Sequence, residues 1–482
     1  MLMDTHTPRP LLGGVLQFTA AATLALLLGC SATGDSHGSS PLSQDPPSAR
    51  SPDLPPPGFS ALFDGRTLDG WWGLGTVDPR VIAALDPETL RAKKAASLPN
   101  IRDHWSVVDG VLENDGEGLF LTTDQNFGDF ELRLEYRTVA GGDSGIYLRG
   151  IPQVQIWDTT EAGGKWHIGA DKGSGGLWNN PEGTPGRDPL VHADRPFGEW
   201  NSVRVVMIGE RVSVWLNDQH VVDHAPLVSH LDPTRPVLSH GPIQLQTHGG
   251  EISWRRIWIR EISPAEANET LIARSRAKHS VPFESLFDGE SLDGWRGATA
   301  GYEVQGGAIA CRPSSGGTLF HSREFDDFEL WFEFRLPAGG NNGLAIRYPG
   351  EGDPAYSGMC ELQVLDSEAK KYESLDSRQY HGSAYGMVPA HRGFLRSPGI
   401  WNVQRVQVVG SKIEVELNGT RILETDLATV TEAMHPLEKF AGRNRSRGYF
   451  GFAGHGDPVA FRNILVRDLD ADGSPTARGE AQ

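Results

Sequence analysis

Residues 59–71 read FSALFDGRTLDGW, and residues 283–295 read FESLFDGESLDGW. Two such similar stretches so far apart mark an internal duplication, the first thing to look for in a long chain. The motifs that follow keep step. WSVVDGVLEN from Trp105 answers YEVQGGAIAC from Tyr302, and GDFELRLEYR answers DDFELWFEFR. DSGIYLR pairs with NNGLAIR, VQIWD with LQVLD, and WNSVRVVMIGERVSVWLND with WNVQRVQVVGSKIEVELNG. HGGEISWRRIWIREI and HGDPVAFRNILVRDL close the two series. Nearly every block alternates apolar and polar residues, the period of strands with one face on a core. Two such sheets stacked face to face make a sandwich, so each copy is expected to be an all-β domain.

The rest of the chain fits this reading. A length of 482 residues suits two domains of about 200 residues with tails. With 58 glycines, 32 prolines, 13 tryptophans and 19 phenylalanines, the composition is turn-rich and aromatic-rich. The formal net charge of -18 is spread along the chain and disfavours polyanions, so nucleic acid is not an expected partner. No phosphate loop, dinucleotide fingerprint or metal-ligand spacing is present, and neither cofactor nor metal is expected. The copies occupy residues 58–264 and 281–470, joined by a polar linker at 265–280 and followed by a disordered tail at 471–482. One helix is expected, over 87–104, as an insertion in the first copy.

An apolar stretch over residues 14–29 ends in Leu27-Leu28-Gly29-Cys30. This resembles a lipobox, which implies a lipoprotein signal peptide at 1–30, acylation of Cys30 and a lipid anchor. Ser31 favours the outer membrane over retention at the inner one. Residues 31–57, rich in Ser, Pro, Gly and Asp, read as a flexible tether. Cys311 and Cys360 are expected to be buried thiols, with pairing left open.

Taken together, LFDGxxLDGW, DFEL, SGIYLRG, VQIWD, GEWN and the closing HGG strand resemble the 3-keto-disaccharide hydrolase family. The resemblance implies a concanavalin A-like jelly-roll sandwich that binds carbohydrate. For some members it implies cleavage of glycosides already oxidised at C3. Such a substrate has an acidified C2 proton, so the site needs a base, a group to hold the developing oxyanion and an acid near the leaving oxygen.

In the second copy, alternation places Cys360, Leu362 and Val364 toward the core and Glu361 and Gln363 on the opposite face. Asp366 ends this strand, Arg347 ends the one before it, His381 and Tyr385 lie in the next loop, and His455 opens the last strand. Glu361, Asp366, His381 and Arg347 are the candidate catalytic groups; Gln363, Tyr385 and His455 are candidate sugar-binding groups. A turn-forming role for Asp366 and a sheet-stabilising ion pair for Arg347 fit the same pattern. In the first copy Gln153 and Gln155 take the equivalent face, with Arg149, Asp158, His167 and His248 as further substrate-binding candidates. The loop 173–180 is expected to close over a ligand. Since position 153 holds an amide, catalysis is expected mainly in the second copy and dependent on Glu361. The alternative is a noncatalytic, tandem carbohydrate-binding lipoprotein.

Overall fold

The computed structural model describes residues 54–476, so the expected signal sequence, Cys30 and most of the expected tether lie outside the described residues. Each copy is an antiparallel sandwich of a large and a small sheet. In the first, the large sheet runs in the order Gln219–Pro226, Arg211–Leu216, Asn201–Ile208, Phe130–Thr138, Ile252–Glu261, Val111–Asn114, Trp105–Val108. The FSALF motif supplies the short strand Ser60–Ala61 against Ile252–Glu261. The small sheet runs Trp71–Leu74, Phe120–Thr123, Gln244–Leu245, Asp143–Leu148, Ile151–Trp157. The second copy repeats both orders, its small sheet being Trp295–Gly297, Gly317–Phe325, Gly448–Gly454, Asn341–Tyr348, Cys360–Leu365.

Alternation decides which face each residue takes. Phe130, Leu132, Leu134 and Tyr136 pack inward on Ile146, Leu148, Val154 and Ile156 in the first core. Phe328, Leu330, Phe332 and Phe334 do the same with Leu344, Ile346, Leu362 and Val364 in the second. Cys311 and Cys360 are both buried there as free thiols.

The expected helix spans Pro87–His104, capped by Asp86, whose side chain accepts from the Glu88 and Thr89 amides at 3.0 Å. Its Ser97 hydroxyl accepts from the Gly73 amide at 2.8 Å, fastening it to the edge of the small sheet.

The connector corrects the sequence reading. The helix over 87–104 is not the one helix of the chain: the polar linker is itself an α-helix, Pro264–Lys278, and Ser263 caps it by accepting from the Glu266 amide. It buries Ala267, Leu271 and Ile272 against Ile208 and Ile262 of the first copy and Trp331, Val403 and Leu465 of the second. The buried Asn268 donates to Glu333 and accepts from Arg396 at 2.6 Å, which specifies the docking. The segment reads as polar because only one face is apolar, and that face meets a surface made by residues far away in sequence. The tail is likewise partly folded: Thr476 N–H donates to the Asp468 carbonyl at 3.0 Å, so the turn after Asp470 packs back on the sheet.

Candidate active site

In both copies the small sheet turns one face away from the core, and the polar residues of its last two strands gather there. The loop after the last strand pairs along its edge. Gly175 N–H donates to the Gln155 carbonyl at 2.8 Å and Gln155 N–H to Gly176; in the second copy, Gly382 N–H donates to Gln363 and Tyr385 N–H to Glu361. This layer leaves Gln153, Gln155, Glu361 and Gln363 only 3–5% exposed although they face outward.

In the second copy Glu361 and Gln363 lie on this face as alternation requires. Glu361 is crossed by Ala345, and Gln363 by Gly343. Gly343 is needed for space, since a Cβ there would stand 2.1 Å from Glu361 Oε1. His455 does not open the closing strand: it lies in the turn between Gly448–Gly454 and Ala460–Asp468, and brings Nε2 within 4.0 Å of Glu361 Oε1. Burial raises the Glu361 pKa, and the adjacent His455 only partly opposes this. In turn Glu361 raises the His455 pKa. Gln363 Nε2 donates to Asn341 Oδ1 at 2.6 Å, and the Tyr385 hydroxyl is held by Gln379 Nε2 at 3.1 Å.

The first copy builds the equivalent place differently. His248, the counterpart of His455, puts Nδ1 2.9 Å from Asp143 Oδ2. Lys165 pairs with the same carboxylate, and Gln155 Nε2 donates to its other oxygen at 2.8 Å. Burial opposes charge on Asp143, but the hydrogen bonds from His248 and Lys165 outweigh it and lower its pKa. The hydrogen bond to Asp143 raises that of His248.

The sequence matches the family described as the 3-keto-alpha-glucoside-1,2-lyase-like domain over residues 58–260 and again over 282–467. The chain belongs to this family. It is 27% identical over 257 residues to the 3-keto-disaccharide hydrolase of Bacteroides thetaiotaomicron, an alignment covering 42% of this chain and 88% of that protein. Among solved structures, a protein of Parabacteroides distasonis provisionally assigned as a glycosyl hydrolase matches with 24% identity and a TM-score of 0.35, covering 39% of this chain and all of that one. A carbohydrate-binding module of Bacillus subtilis matches with 12% identity and a TM-score of 0.24, over 36% of this chain and 93% of the module.

In both 3-keto-alpha-glucoside-1,2-lyase-like copies several expected site residues do other work. Arg347 is 1% exposed and donates to the Asp326, Gly410 and Arg445 carbonyls at 2.7–2.9 Å and to Asp327 Oδ1 at 2.7 Å. Arg149 is equally buried, donating to the Gly128 and Leu238 carbonyls and to Asp129. Both arginines adopt a positive φ, 55° and 47°, at the point where the strand turns. They staple the sandwich and do not reach the site. Asp158 and Asp366 form turns: their carboxylates accept from the Gly141 and Gly339 amides at 2.7 Å, just before the strands that carry Asp143 and Asn341. His381 lies inside the core, its ring stacked on Phe334, and burial pushes its pKa down to about 3, so it stays neutral. His167 is exposed, with Nδ1 on the Gly164 carbonyl. The loop 173–180 is no lid: besides its edge pairing, Trp178 packs on Trp157 with ring centroids 5.9 Å apart.

Asp143 and Lys165 were not among the residues singled out from sequence. The available signal was the exchange of Asp143 for Asn341 together with that of Gln153 for Glu361. A cavity of about 1070 Å³ between the copies is lined by both charge signs, with Arg211 paired to Glu416 and Arg405 to Glu329 and Glu414. Those pairs satisfy one another, which makes the cavity a solvated seam between domains and not the reacting centre.

Proposed function

We propose that the protein cleaves 3-keto glycosides from the cell envelope, anchored through Cys30, and that Glu361 with His455 forms the proton-transfer centre of its second copy. The carrying observation is a buried carboxyl beside an exposed histidine on the sheet face of a 3-keto-alpha-glucoside-1,2-lyase-like domain. Environments that push pKa values toward neutrality suit proton transfer near neutral pH. Glu361 takes the C2 proton, and that C–H pair enters the C2–C3 bond as the C3 oxygen becomes an enolate. The enolate collapses to restore the C3 carbonyl and form C1=C2, the C1–O bond breaks, and the leaving oxygen takes a proton from the His455 imidazolium. Water adding across C1=C2 completes a net hydrolysis. The Tyr385 hydroxyl donates to a sugar oxygen, and Gln363, whose Nε2 is spent on Asn341 and Asn342, accepts from a sugar hydroxyl through Oε1.

Incubating the mature protein with a 3-keto disaccharide and its unoxidised parent tests the reading. Monosaccharide or unsaturated 3-keto sugar from the oxidised substrate alone is the expected result. Binding of either sugar without turnover sinks it in favour of a tandem carbohydrate-binding protein. The anchor has its own test: Cys30→Ser must leave the detergent phase for the aqueous one.

A further inference from the structure

We infer that the first copy holds a second acid–base centre for the same class of substrate, a hydroxylated ring bearing a C3 carbonyl, built on His248 and Asp143. The inference rests on the reading of the second copy given above. Among the substitutions that separate the sites, two compensate. Glu361 is replaced by Gln153, which removes a carboxylate from the last strand; Asn341 is replaced by Asp143, which restores one on the neighbouring strand. The amide that bridges the strands is kept, Gln155 to Asp143 at 2.8 Å and Gln363 to Asn341 at 2.6 Å. A copy that had merely lost its chemistry would lose the charge without replacing it.

The geometry assigns the roles. A carboxylate only accepts hydrogen bonds, so the Asp143 contact puts the proton of His248 on Nδ1 and leaves Nε2 free. The His248 side chain is 64% exposed, whereas that of Asp143 is 11% exposed and its two oxygens are engaged by His248, Lys165 and Gln155. Asp143 is therefore a positioning residue, and His248 is the group that moves protons.

The floor of the site points to a ligand independently. Gln153 and Gln246 are 5% and 6% exposed, and the Oε1 atom of each lacks a hydrogen-bond partner. Both converge on Gly145, whose missing Cβ would stand 2.9 Å from Gln153 Cδ and 3.0 Å from Gln246 Oε1. Unpaired buried acceptors are costly, and hydroxyl groups of a sugar are the donors they lack. On such a ring, Nε2 of neutral His248 takes the C2 proton. The electron pair passes through the enolate to form C1=C2, and the departing C1 oxygen recovers that proton from the imidazolium.

Turnover of a 3-keto disaccharide by the full mature chain, in a Glu361→Gln background, tests this. We expect E361Q to keep about a tenth or more of wild-type turnover. Adding Asp143→Asn should lower the remainder about tenfold or more and move its pH profile to lower pH. Adding Gln153→Glu as well, which recreates the second copy's arrangement, should restore it in part. Background turnover in E361Q, with the wild type active, overturns the inference and leaves the reading of the second copy standing. Unchanged turnover on Asp143→Asn overturns it too. If the wild type itself proves inactive, the reading of the second copy falls and the site is judged by ligand: addition of 3-keto disaccharide must shift the His248 ring resonances in NMR spectra, and their constancy overturns the inference.

Discussion

The two copies share a framework and differ at the place where protons would move. Each staples its sandwich with a buried arginine at the end of the same strand, and each places a histidine from the turn before the closing strand over the small sheet. Yet in the first copy the histidine is hydrogen-bonded at 2.9 Å to a carboxylate held ionised, and in the second it stands 4.0 Å from a carboxyl whose pKa is raised by burial. Framework residues are confined by many simultaneous contacts. The carboxylate is confined only by the need to face the histidine, and positions on two adjacent strands meet that need.

The largest test of the common framework is Arg149→Ala against Arg347→Ala. Each removes a buried guanidinium that serves several carbonyls and one carboxylate, and each is expected to cost about 3–5 kcal/mol in denaturant unfolding. A large loss in one copy and none in the other would break the comparison. Next comes the connector helix. A fragment starting at residue 281 exposes Trp331, Val403 and Leu465, so it should be about 3 kcal/mol or more less stable than one starting at residue 263, which retains Leu271 and Ile272. Equal stability would show that the second sandwich does not need the helix it borrows.

Gly343→Ala and Gly145→Ala sharpen the contrast at the sites. A methyl group on Gly343 collides with the Glu361 carboxyl, whereas one on Gly145 meets Gln153 and Gln246 less severely. Turnover in an Asp143→Asn background should fall about tenfold or more with Gly343→Ala, since small misplacements of reacting groups are costly. Gly145→Ala should change it little in that background.

The smallest effect is in pH. His248 has a folded pKa above its ordinary 6.5, so the stability its pairing contributes is complete below that value and is lost as pH rises through the folded pKa. Asp143→Asn should lower the His248 pKa in NMR titration and leave His455 unmoved, with Glu361→Gln doing the reverse. A single variant that shifts both histidines would mean that the sites are coupled.

Much of this was legible from sequence because it rests on local periodicity. Alternation in Cys360-Glu361-Leu362-Gln363-Val364 puts Glu361 and Gln363 opposite the core whatever lies across from them, and the repeated blocks define two domains without any coordinates. The helix 87–104 announces itself through Asp86, Pro87 and a run of good helix formers. The errors share one cause. Arg347 and His381 look available for chemistry because of their residue types, but φ at Arg347 turns it into the protein and the packing of Phe334 encloses His381. Asp143 was not among the site residues read from sequence; cross-strand pairing brings it to Gln155, and the turn before the closing strand brings His248 onto its carboxylate. Sequence by itself determined the duplication, the strands and which face each residue takes, since these depend on neighbours along the chain. Only the tertiary structure decided which carboxylate meets which histidine, because that depends on strands far apart in sequence lying side by side.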